Sequence, residues 1–229
     1  MFAFRETFAL DPDPASGSRV EVAFTDASLD LREGDRLDGV LAALTDATGV
    51  DFARLHQIHG ADVVEVDGPG HGIPTADAQV TAARGLGLMV RVADCVPVVL
   101  ADAAAGVVGV AHAGRRGAEL DVVTRTVERM RALGAVDMTA WVGPHICGRC
   151  YEVPATMREE VAAVVPTTYA DTGWGTPALD LGAGVFTQLA AAGVATTTVP
   201  GCTLEDERFH SHRRDGAAAG RFAGLVWLS

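Results

Sequence analysis

Three residues in this sequence have side chains suited to a catalytic metal ion. His59, Cys95 and His112 each lie at or near the end of an apolar segment that is typical of a β-strand. A catalytic zinc ion usually has three protein ligands and keeps its fourth position for water or substrate. The three residues are separated by 36 and 17 positions, so they form no compact motif, and ordinary loop histidines and a core cysteine are the alternative. We predict a zinc site if the fold joins these strand ends, and copper is compatible with the same ligands.

A carboxylate and a pair of arginines lie beside these candidate ligands. Asp94 interrupts an apolar run, and a carboxylate buried there is costly unless it is paired. We predict that Asp94 orients a ligand histidine or acts as a base, and a salt bridge to Arg91 is the structural alternative. Arg115 and Arg116 lie between two glycines just before a periodic helix. Backbone N–H groups and a guanidinium at that position predict an anion site, whereas a glycine-rich turn with solvated arginines is the alternative.

The remaining cysteines and histidines are harder to assign from sequence. Cys147 and Cys150 have CxxC spacing, but Cys202 is the only other spare thiol. A closed four-ligand zinc site is therefore disfavoured, and we expect loop thiols near the rim of an active site. Further histidines are compatible with a substrate cleft, although surface positions are the simpler assumption; they are His145, His210 and His212.

Apolar periodicity predicts a mixed α/β fold. Two strongly apolar runs, 87–101 and 106–111, predict strands, and 1–30 predicts paired strands joined by a loop at 11–18. Further strands are predicted at 61–67, 140–143 and 195–199 and at the C-terminus. Helices are predicted at 37–48, 120–133, 156–165 and 185–192, and the second of these has one apolar stripe from Leu120 to Leu133. Strands and helices alternate imperfectly, which favours a mixed sheet, and no segment resembles a linker. We therefore expect one domain over residues 1–229.

Composition excludes several classes of protein. The chain of 229 residues has a net charge of −12, which disfavours binding to nucleic acid. No apolar run reaches the roughly 20 residues that a membrane-spanning helix needs, and the N-terminus is a poor match to a signal peptide, so we expect a cytoplasmic protein. All eighteen basic residues are arginine, which excludes a Schiff base on a lysine.

Six segments of the sequence, taken together, form a pattern specific to one family. They are QIHGADVV, ADAQVT, ADCVPVVLAD, AHAGRRG, GPHICGRCYEV and RFHSHRRDGAAAGR. In this order, from about residue 20 to the C-terminus, they resemble the YfiH-like family, whose members are also labelled laccase-domain or multicopper polyphenol oxidase proteins. The resemblance implies a layered α/β/β/α sandwich domain and a metal site at His59, Cys95 and His112. It also implies phosphorolysis of adenosine, inosine, guanosine and methylthioadenosine, together with deamination of adenosine.

The resemblance leads to a set of expected roles. We expect a zinc-dependent purine nucleoside phosphorylase with adenosine deaminase activity, acting on a nucleoside and phosphate as a monomer or weak homo-oligomer. Catalytic roles are expected for Cys95, His112, Asp94 and Arg116. Substrate-binding roles are expected for Gln57, Asp77, Arg213 and Arg214.

Three segments differ from the pattern of the family. The usual HAGWRG reads HAGRRG, which puts Arg115 in place of tryptophan. The usual FFSYRRD reads FHSHRRD, which puts His210 and His212 in place of aromatic residues, and the usual SLNL reads SLDL at Ser28–Leu31. The metal ligands and Arg116 are retained, so we expect an intact metal site with altered packing of the substrate.

Three other functions remain open. Two imidazoles and a thiolate also suit copper, so a laccase-like polyphenol oxidase is one alternative. A cysteine hydrolase with Cys95 as nucleophile and His112 as base is another. A factor that edits or binds a peptidoglycan precursor is the third.

Overall fold

The computed structural model describes residues 1–9, 19–68 and 72–229. The loop predicted at 11–18 lies outside these ranges. The strands are β1 Phe2–Ala9, β2 Arg19–Thr25, β3 Asp51–Ala53, β4 Val63–Glu65, β5 Ala78–Thr81, β6 Leu86–Val92, β7 Val96–Asp102, β8 Val107–Ala113, β9 Thr139–Val142, β10 Tyr169–Asp171, β11 Pro177–Leu179, β12 Ala195–Thr198 and β13 Phe222–Leu228. The helices are α1 Leu37–Thr48, α2 Arg115–Glu119, α3 Val122–Ala132, α4 Ala155–Val164, α5 Leu181–Ala191 and α6 His212–Asp215. In the described ranges, no helix is long and apolar enough to cross a membrane.

Two sheets carry most of the strands. One has the order β1-β2-β13-β6-β3, the other has the order β12-β9-β7-β8-β5-β4, and β10 and β11 form a separate pair. Both large sheets are mixed: β3 runs parallel to β6 while β13 runs antiparallel to it, and β9 is parallel to β12 but antiparallel to β7. This confirms the mixed α/β fold class.

Most of the core lies in three apolar layers. A central layer fills the space between the two large sheets and includes Val22 and Val90 from one sheet and Val99 and Val110 from the other. A second layer packs α1 on the five-stranded sheet, and a third packs α3, α4 and α5 on the six-stranded sheet. The resulting order of layers is α/β/β/α, as the resemblance implies.

One predicted helix begins later in the structure than the sequence pattern indicates. The periodicity over 120–133 predicts a single helix, but α3 begins at Val122 and a separate α2 precedes it. Asp121 has φ of 57° and its carboxylate accepts a hydrogen bond from the backbone N–H of Thr124, so it caps α3. Leu120, counted in the apolar stripe, is 41% exposed. The prediction was wrong at this end because periodicity does not register a capping residue in left-handed conformation.

The chain passes between the two large sheets at several connections. Those from β3 to β4, from β6 to β7 and from β12 to β13 each leave the five-stranded sheet for the six-stranded one or the reverse. Residues 54–62, 93–95 and 199–221 make these three connections. They hold most of the chemically active side chains named from the sequence.

Candidate metal centre and cavity

The three predicted metal ligands, which we call the trio, lie close together in the structure. His59 lies in the connection from β3 to β4, Cys95 in the connection from β6 to β7, and His112 on β8. One ligand atom from each lies within 4.8 Å of the others, and Sγ of Cys95 is 3.7 Å from Nε2 of His59. The two imidazole rings meet edge to face with centroids 4.8 Å apart. This is the geometry of three donors around one point.

A glycine allows this close approach. A Cβ atom at Gly114 would lie 2.6 Å from Cδ2 of His59 and 3.1 Å from Sγ of Cys95. The first distance is shorter than van der Waals contact, so a larger residue would push the imidazole or the thiol away. Gly114 also precedes α2, which places that helix directly against the trio.

A buried carboxylate orients both histidines. Oδ1 of Asp77 lies 2.8 Å from Nδ1 of His112 and accepts the backbone N–H of His59 at 2.9 Å. Oδ2 accepts the backbone N–H groups of Ile58 and Gly60. Because Nδ1 of His112 is occupied, Nε2 is the nitrogen left for a ligand role. The hydrogen bond at its backbone N–H also helps hold His59, whose φ is 60°.

The electrostatics of the site favour a thiolate. Burial opposes ionisation of Cys95, but the charge of His112 and hydrogen bonds with both imidazoles outweigh it and lower the pKa of the thiol to about 6. Burial likewise opposes protonation of His112, while the Cys95 thiolate and Asp77 raise its pKa to about 9. Burial disfavours the charged form of Asp77, yet its hydrogen bonds with His112 and backbone N–H groups keep its pKa below the usual value.

Asp94 has a different partner set from the one predicted. Oδ1 accepts hydrogen bonds from Thr203 and Ser211 at 2.6 and 2.7 Å, and Oδ2 accepts the backbone N–H of Arg213 at 2.6 Å. Asp77, rather than Asp94, contacts a ligand histidine. The alternative salt bridge is also absent from the described residues, since Arg91 pairs with Glu33 at 2.6 Å. Asp94 lines the cavity, with both carboxylate oxygens engaged.

The trio opens into a cavity of about 830 Å³. This volume lies within the range of small-molecule sites, roughly 300–1,000 Å³. Six of the eighteen arginines line it, against two acidic residues, Glu33 and Asp94. These arginines are Arg32, Arg91, Arg115, Arg116, Arg213 and Arg221. In a chain of net charge −12, this concentration makes the cavity the natural place for an anion.

The cavity arginines differ in how free they are. Arg115 pairs with Glu119 at 3.0 Å, and Arg213 donates to the backbone oxygen of Glu152 and stacks 5.1 Å from the ring of Tyr151. The exposed guanidinium of Arg116 has no hydrogen bond or ion pair with any residue that the structure describes. It is therefore available to a ligand.

The structure separates the four predicted substrate-binding residues. Arg213 lines the cavity. Gln57 also lines it, but both ends of its amide are hydrogen-bonded to the backbone of Arg91. Asp77 is fully buried behind the histidines and is not part of the lining. Arg214 is also outside it, because its guanidinium bonds to backbone oxygens of Thr203 and Phe209. Direct substrate contact by Asp77 or Arg214 does not fit these positions.

The substituted residues also differ in position. Arg115 and His212 face the cavity, whereas Nε2 of His210 contacts the backbone oxygen of Leu29. His145 lies outside the lining, with Nδ1 against the backbone oxygen of Gly143 at 2.8 Å. Tyr151, which the sequence argument did not single out, is the one tyrosine, tryptophan or phenylalanine of the described chain that lines the cavity.

The other three cysteines also come together. Cys147, Cys150, Cys202 and Glu205 have ligand atoms within 4.8 Å of one another. A closed four-ligand site was disfavoured on the number of thiols alone, and Glu205 supplies a fourth ligand-type side chain. The repeated spacing of three, in Cys147–Cys150 and in Cys202–Glu205, is the signal that was available.

The His59–Cys95–His112 donor set fits a catalytic metal ion. Two imidazoles and a thiolate are ligands of both zinc and copper. Asp77 fixes His112 as outer hydrogen-bond partners do in metal sites, and the cavity leaves the donors accessible on one side.

Fold and site together define an α/β/β/α protein with a three-ligand candidate metal centre that faces an arginine-lined cavity. The family described as multi-copper polyphenol oxidoreductase laccase matches residues 17–229, and the chain belongs to this family.

Several relatives are named for an activity. A purine nucleoside phosphorylase of Streptomyces griseus is 56% identical over 189 residues, 79% of this chain and 76% of the relative. A purine nucleoside phosphorylase of Mycobacterium tuberculosis is 46% identical over 192 residues, 82% of this chain and 76% of the relative.

Solved structures share the fold. YlmD from Geobacillus stearothermophilus matches with a TM-score of 0.81 and 27% identity, over 94% of this chain and 93% of that one. A Neisseria meningitidis protein matches with a TM-score of 0.80 and 28% identity, over 98% and 99% of the two chains.

Proposed function

We propose that this protein is a zinc-dependent purine nucleoside phosphorylase that also deaminates adenosine. The observation that carries the proposal is the convergence of arginines on a cavity whose floor is the His59–Cys95–His112 trio. Adenosine, inosine, guanosine and methylthioadenosine are the proposed nucleosides. The names of the relatives support the phosphorylase activity.

The arginines suit the chemistry of phosphorolysis. A phosphate oxygen must form a bond to C1′ of the ribose while the bond from C1′ to the purine nitrogen breaks and its electron pair leaves with the base. Phosphate, an anion, therefore has to be held against C1′ while the departing base gains negative charge, and cationic side chains stabilise this arrangement. We assign phosphate to Arg116, whose guanidinium has no partner among the described residues and lines the cavity.

Tyr151 suits the base. Its ring lies in the cavity and is stacked with Arg213. A purine can stack on an aromatic ring with a gain of about 1–3 kcal/mol per base. We assign Tyr151 to this role in place of the aromatic residues that the chain lacks at Arg115 and His212.

The trio is the proposed zinc site. A zinc ion bound by His59, Cys95 and His112 would supply a Lewis acid for deamination. The protein contributes the orientation of these ligands: Asp77 holds His112 through Nδ1, and Gly114 leaves room for the thiol and the imidazole. Asp94 is proposed to position the neighbouring Cys95, because its carboxylate accepts hydrogen bonds from the hydroxyl groups of Thr203 and Ser211.

A product assay tests the proposal. The protein as purified is incubated with adenosine, with and without phosphate, and adenine, inosine and hypoxanthine are measured. We expect adenine only with phosphate and inosine in both cases. Arg116→Ala should raise the KM for phosphate about tenfold or more, as the loss of one charge-assisted hydrogen bond predicts, and leave deamination within about twofold. Arg125→Ala, on α3 and outside the cavity, is the control. Absence of all three products would refute the proposal.

A second candidate rests on a specific geometry. The thiol of Cys95, whose pKa is lowered, could act as a nucleophile with His112 as its base. The carboxylate of Asp77 would orient His112 through Nδ1. A cysteine hydrolase acting on amides would use the same three residues. Metal content separates the two functions: a metal-free protein as purified, inactivated by iodoacetamide at Cys95, would favour the hydrolase.

A further inference from the structure

A second group of ligand-type side chains lies apart from the His59–Cys95–His112 trio and shares no residue with it. Cys147, Cys150, Cys202 and Glu205 each offer one donor atom, and all four atoms lie within 4.8 Å of one another. Cys150 is 3% exposed, and none of the four thiols of the chain is in a disulfide. The proposed function above makes no use of these residues.

Two similar turns present the four side chains. In the first, the backbone N–H groups of Cys150 and Tyr151 both donate to the oxygen of Cys147, at 2.9 and 3.0 Å. In the second, the N–H groups of Glu205 and Asp206 both donate to the oxygen of Cys202, at 3.1 and 2.9 Å. Each turn therefore carries a donor side chain at its first and fourth positions. This is the CxxC spacing of structural zinc sites, with glutamate in place of the last cysteine.

The two turns are fixed against each other by backbone hydrogen bonds. The N–H of His145 donates to the oxygen of Gly201 at 3.2 Å, and the N–H of Thr203 donates to the oxygen of His145 at 3.1 Å. The N–H of Cys147 points at Sγ of Cys202 at 3.4 Å. These hydrogen bonds hold the two turns, and with them the four donor side chains, next to each other.

We propose that Cys147, Cys150, Cys202 and Glu205 bind a structural zinc ion. Three thiolates and a carboxylate complete a tetrahedral set and leave no position for substrate, which distinguishes a structural site from a catalytic one. A Zn–S distance of about 2.3 Å places neighbouring donors about 3.8 Å apart. The donor atoms lie within 4.8 Å of one another, so side-chain rotations that shift these atoms by about 1 Å or less suffice to reach that spacing.

The ion would act on the trio through the backbone. The N–H of Ile146 donates to the oxygen of Asp94 at 3.0 Å, and Thr203 donates to its carboxylate. Each turn thus holds one residue against Asp94, the neighbour of Cys95. A zinc ion that joins the turns would keep the segment of Cys95 in place without contacting it.

Metal analysis of the full-length protein tests this site. We expect about two zinc ions per chain as purified if both sites are filled. Cys150→Ala should remove one equivalent, and Cys95→Ala should remove the other. If the trio holds no zinc, the wild type will have about one equivalent, which Cys150→Ala removes and Cys95→Ala leaves. Failure of the proposed function is in this way distinguishable from failure of the second site.

A milder variant guards against misfolding. Glu205 is exposed, so Glu205→Gln should fold normally and weaken retention of zinc against a chelator by about 100-fold or more, since even outer partners of ligands are worth 10–100-fold. Glu207→Gln, two residues on and also exposed, is the matched control and should retain zinc as the wild type does. In the Cys95→Ala background, cobalt added after zinc has been removed with a chelator should show thiolate-to-metal charge transfer.

The opposite results are equally clear. Zinc content unchanged in Cys150→Ala, equal retention in Glu205→Gln and Glu207→Gln, or cobalt without charge transfer would each overturn the proposal. So would iron in place of zinc. A disulfide among the three thiols of the protein as purified, seen as a mass lower by two hydrogens without zinc, would overturn it as well.

Discussion

Replacing Asp77 with asparagine is the sharpest test of how the trio is held. The carboxylate accepts four hydrogen bonds: from His112 and the N–H of His59 on Oδ1, and from the N–H groups of Ile58 and Gly60 on Oδ2. An asparagine side chain has the same shape but only one oxygen. Its NH₂ group must face one of these two pairs of donors.

Either orientation damages the site. With the NH₂ at the Oδ2 position, two backbone N–H groups lose their acceptor, which costs about 1–3 kcal/mol for each, or roughly 2–6 kcal/mol in the free energy of unfolding. With the NH₂ at the Oδ1 position, it donates to Nδ1 of His112, the proton moves to Nε2, and the nitrogen needed for the metal ion is blocked. We expect zinc affinity to fall about 10–100-fold, as it does when an outer partner of a ligand is lost.

The assay is competition with a chromophoric chelator, combined with denaturant unfolding of the metal-free protein. Asp102→Asn is the matched control: Asp102 is also a buried carboxylate that accepts three backbone N–H groups, from Ala105, Val136 and Asp137. It lies at the far end of β7, roughly 20 Å from Cys95 along the strand. This variant should lose stability and keep its zinc affinity. Equal zinc affinity in Asp77→Asn and the wild type, or an equal loss in both variants, would refute the reasoning.

Three further outcomes are expected. Gly114→Ala should lower zinc affinity at least about tenfold, because the added Cβ would lie 2.6 Å from the ring of His59. The same overpacking should lower the free energy of unfolding by only about 1–3 kcal/mol. Unchanged zinc affinity in chelator competition would contradict this interpretation of the packing. Tyr151→Leu should raise the KM for nucleosides about tenfold, since stacking on a base is worth about 1–3 kcal/mol, and Tyr151→Phe should not; steady-state kinetics decide. Burial raises the pKa of Asp102, but backbone N–H groups outweigh this and lower it. Its contribution to stability is therefore complete above the carboxyl pKa of the unfolded chain, about 3.9, and is lost as pH falls through the lower folded value. The stability gap between wild type and Asp102→Asn, measured by urea unfolding, should shrink over that range, and a gap that is constant with pH would contradict this.

The strands and the trio were accessible from sequence for the same reason. Apolar runs indicate buried strands. A polar residue that ends such a run lies at the end of a strand, close to the ends of the neighbouring strands. His112 and Cys95 follow this rule directly, since one ends a buried run and the other interrupts one. The mixed sheets and α1 at Leu37–Thr48 likewise follow from periodicity and are confirmed.

The supporting residues were not accessible in this way. Asp77 precedes β5 in a short segment with no apolar interruption to mark it. Its carboxylate is bonded to backbone N–H groups 17–19 positions earlier in the chain and to His112, 35 positions later. Asp94 interrupts a conspicuous apolar run and was therefore predicted to orient a ligand histidine, but it is Asp77 that contacts His112. Glu205 was not predicted: its spacing of three from Cys202 repeats that of Cys147 and Cys150, but this spacing gains meaning only when the fold places three thiols next to an exposed acidic residue. Sequence thus indicates which residues are unusual, and the fold decides which of them meet.

The placement of His59 and Cys95 on connections between the two sheets links metal binding to the cohesion of the molecule. Each of these connections is anchored at one end in the five-stranded sheet and at the other in the six-stranded sheet. An ion held by both residues and by His112 would behave as a clasp across the apolar interface, and its binding energy would add to the energy needed to part the two halves. Metal starvation in a cell would then threaten the lifetime of the protein as well as its turnover.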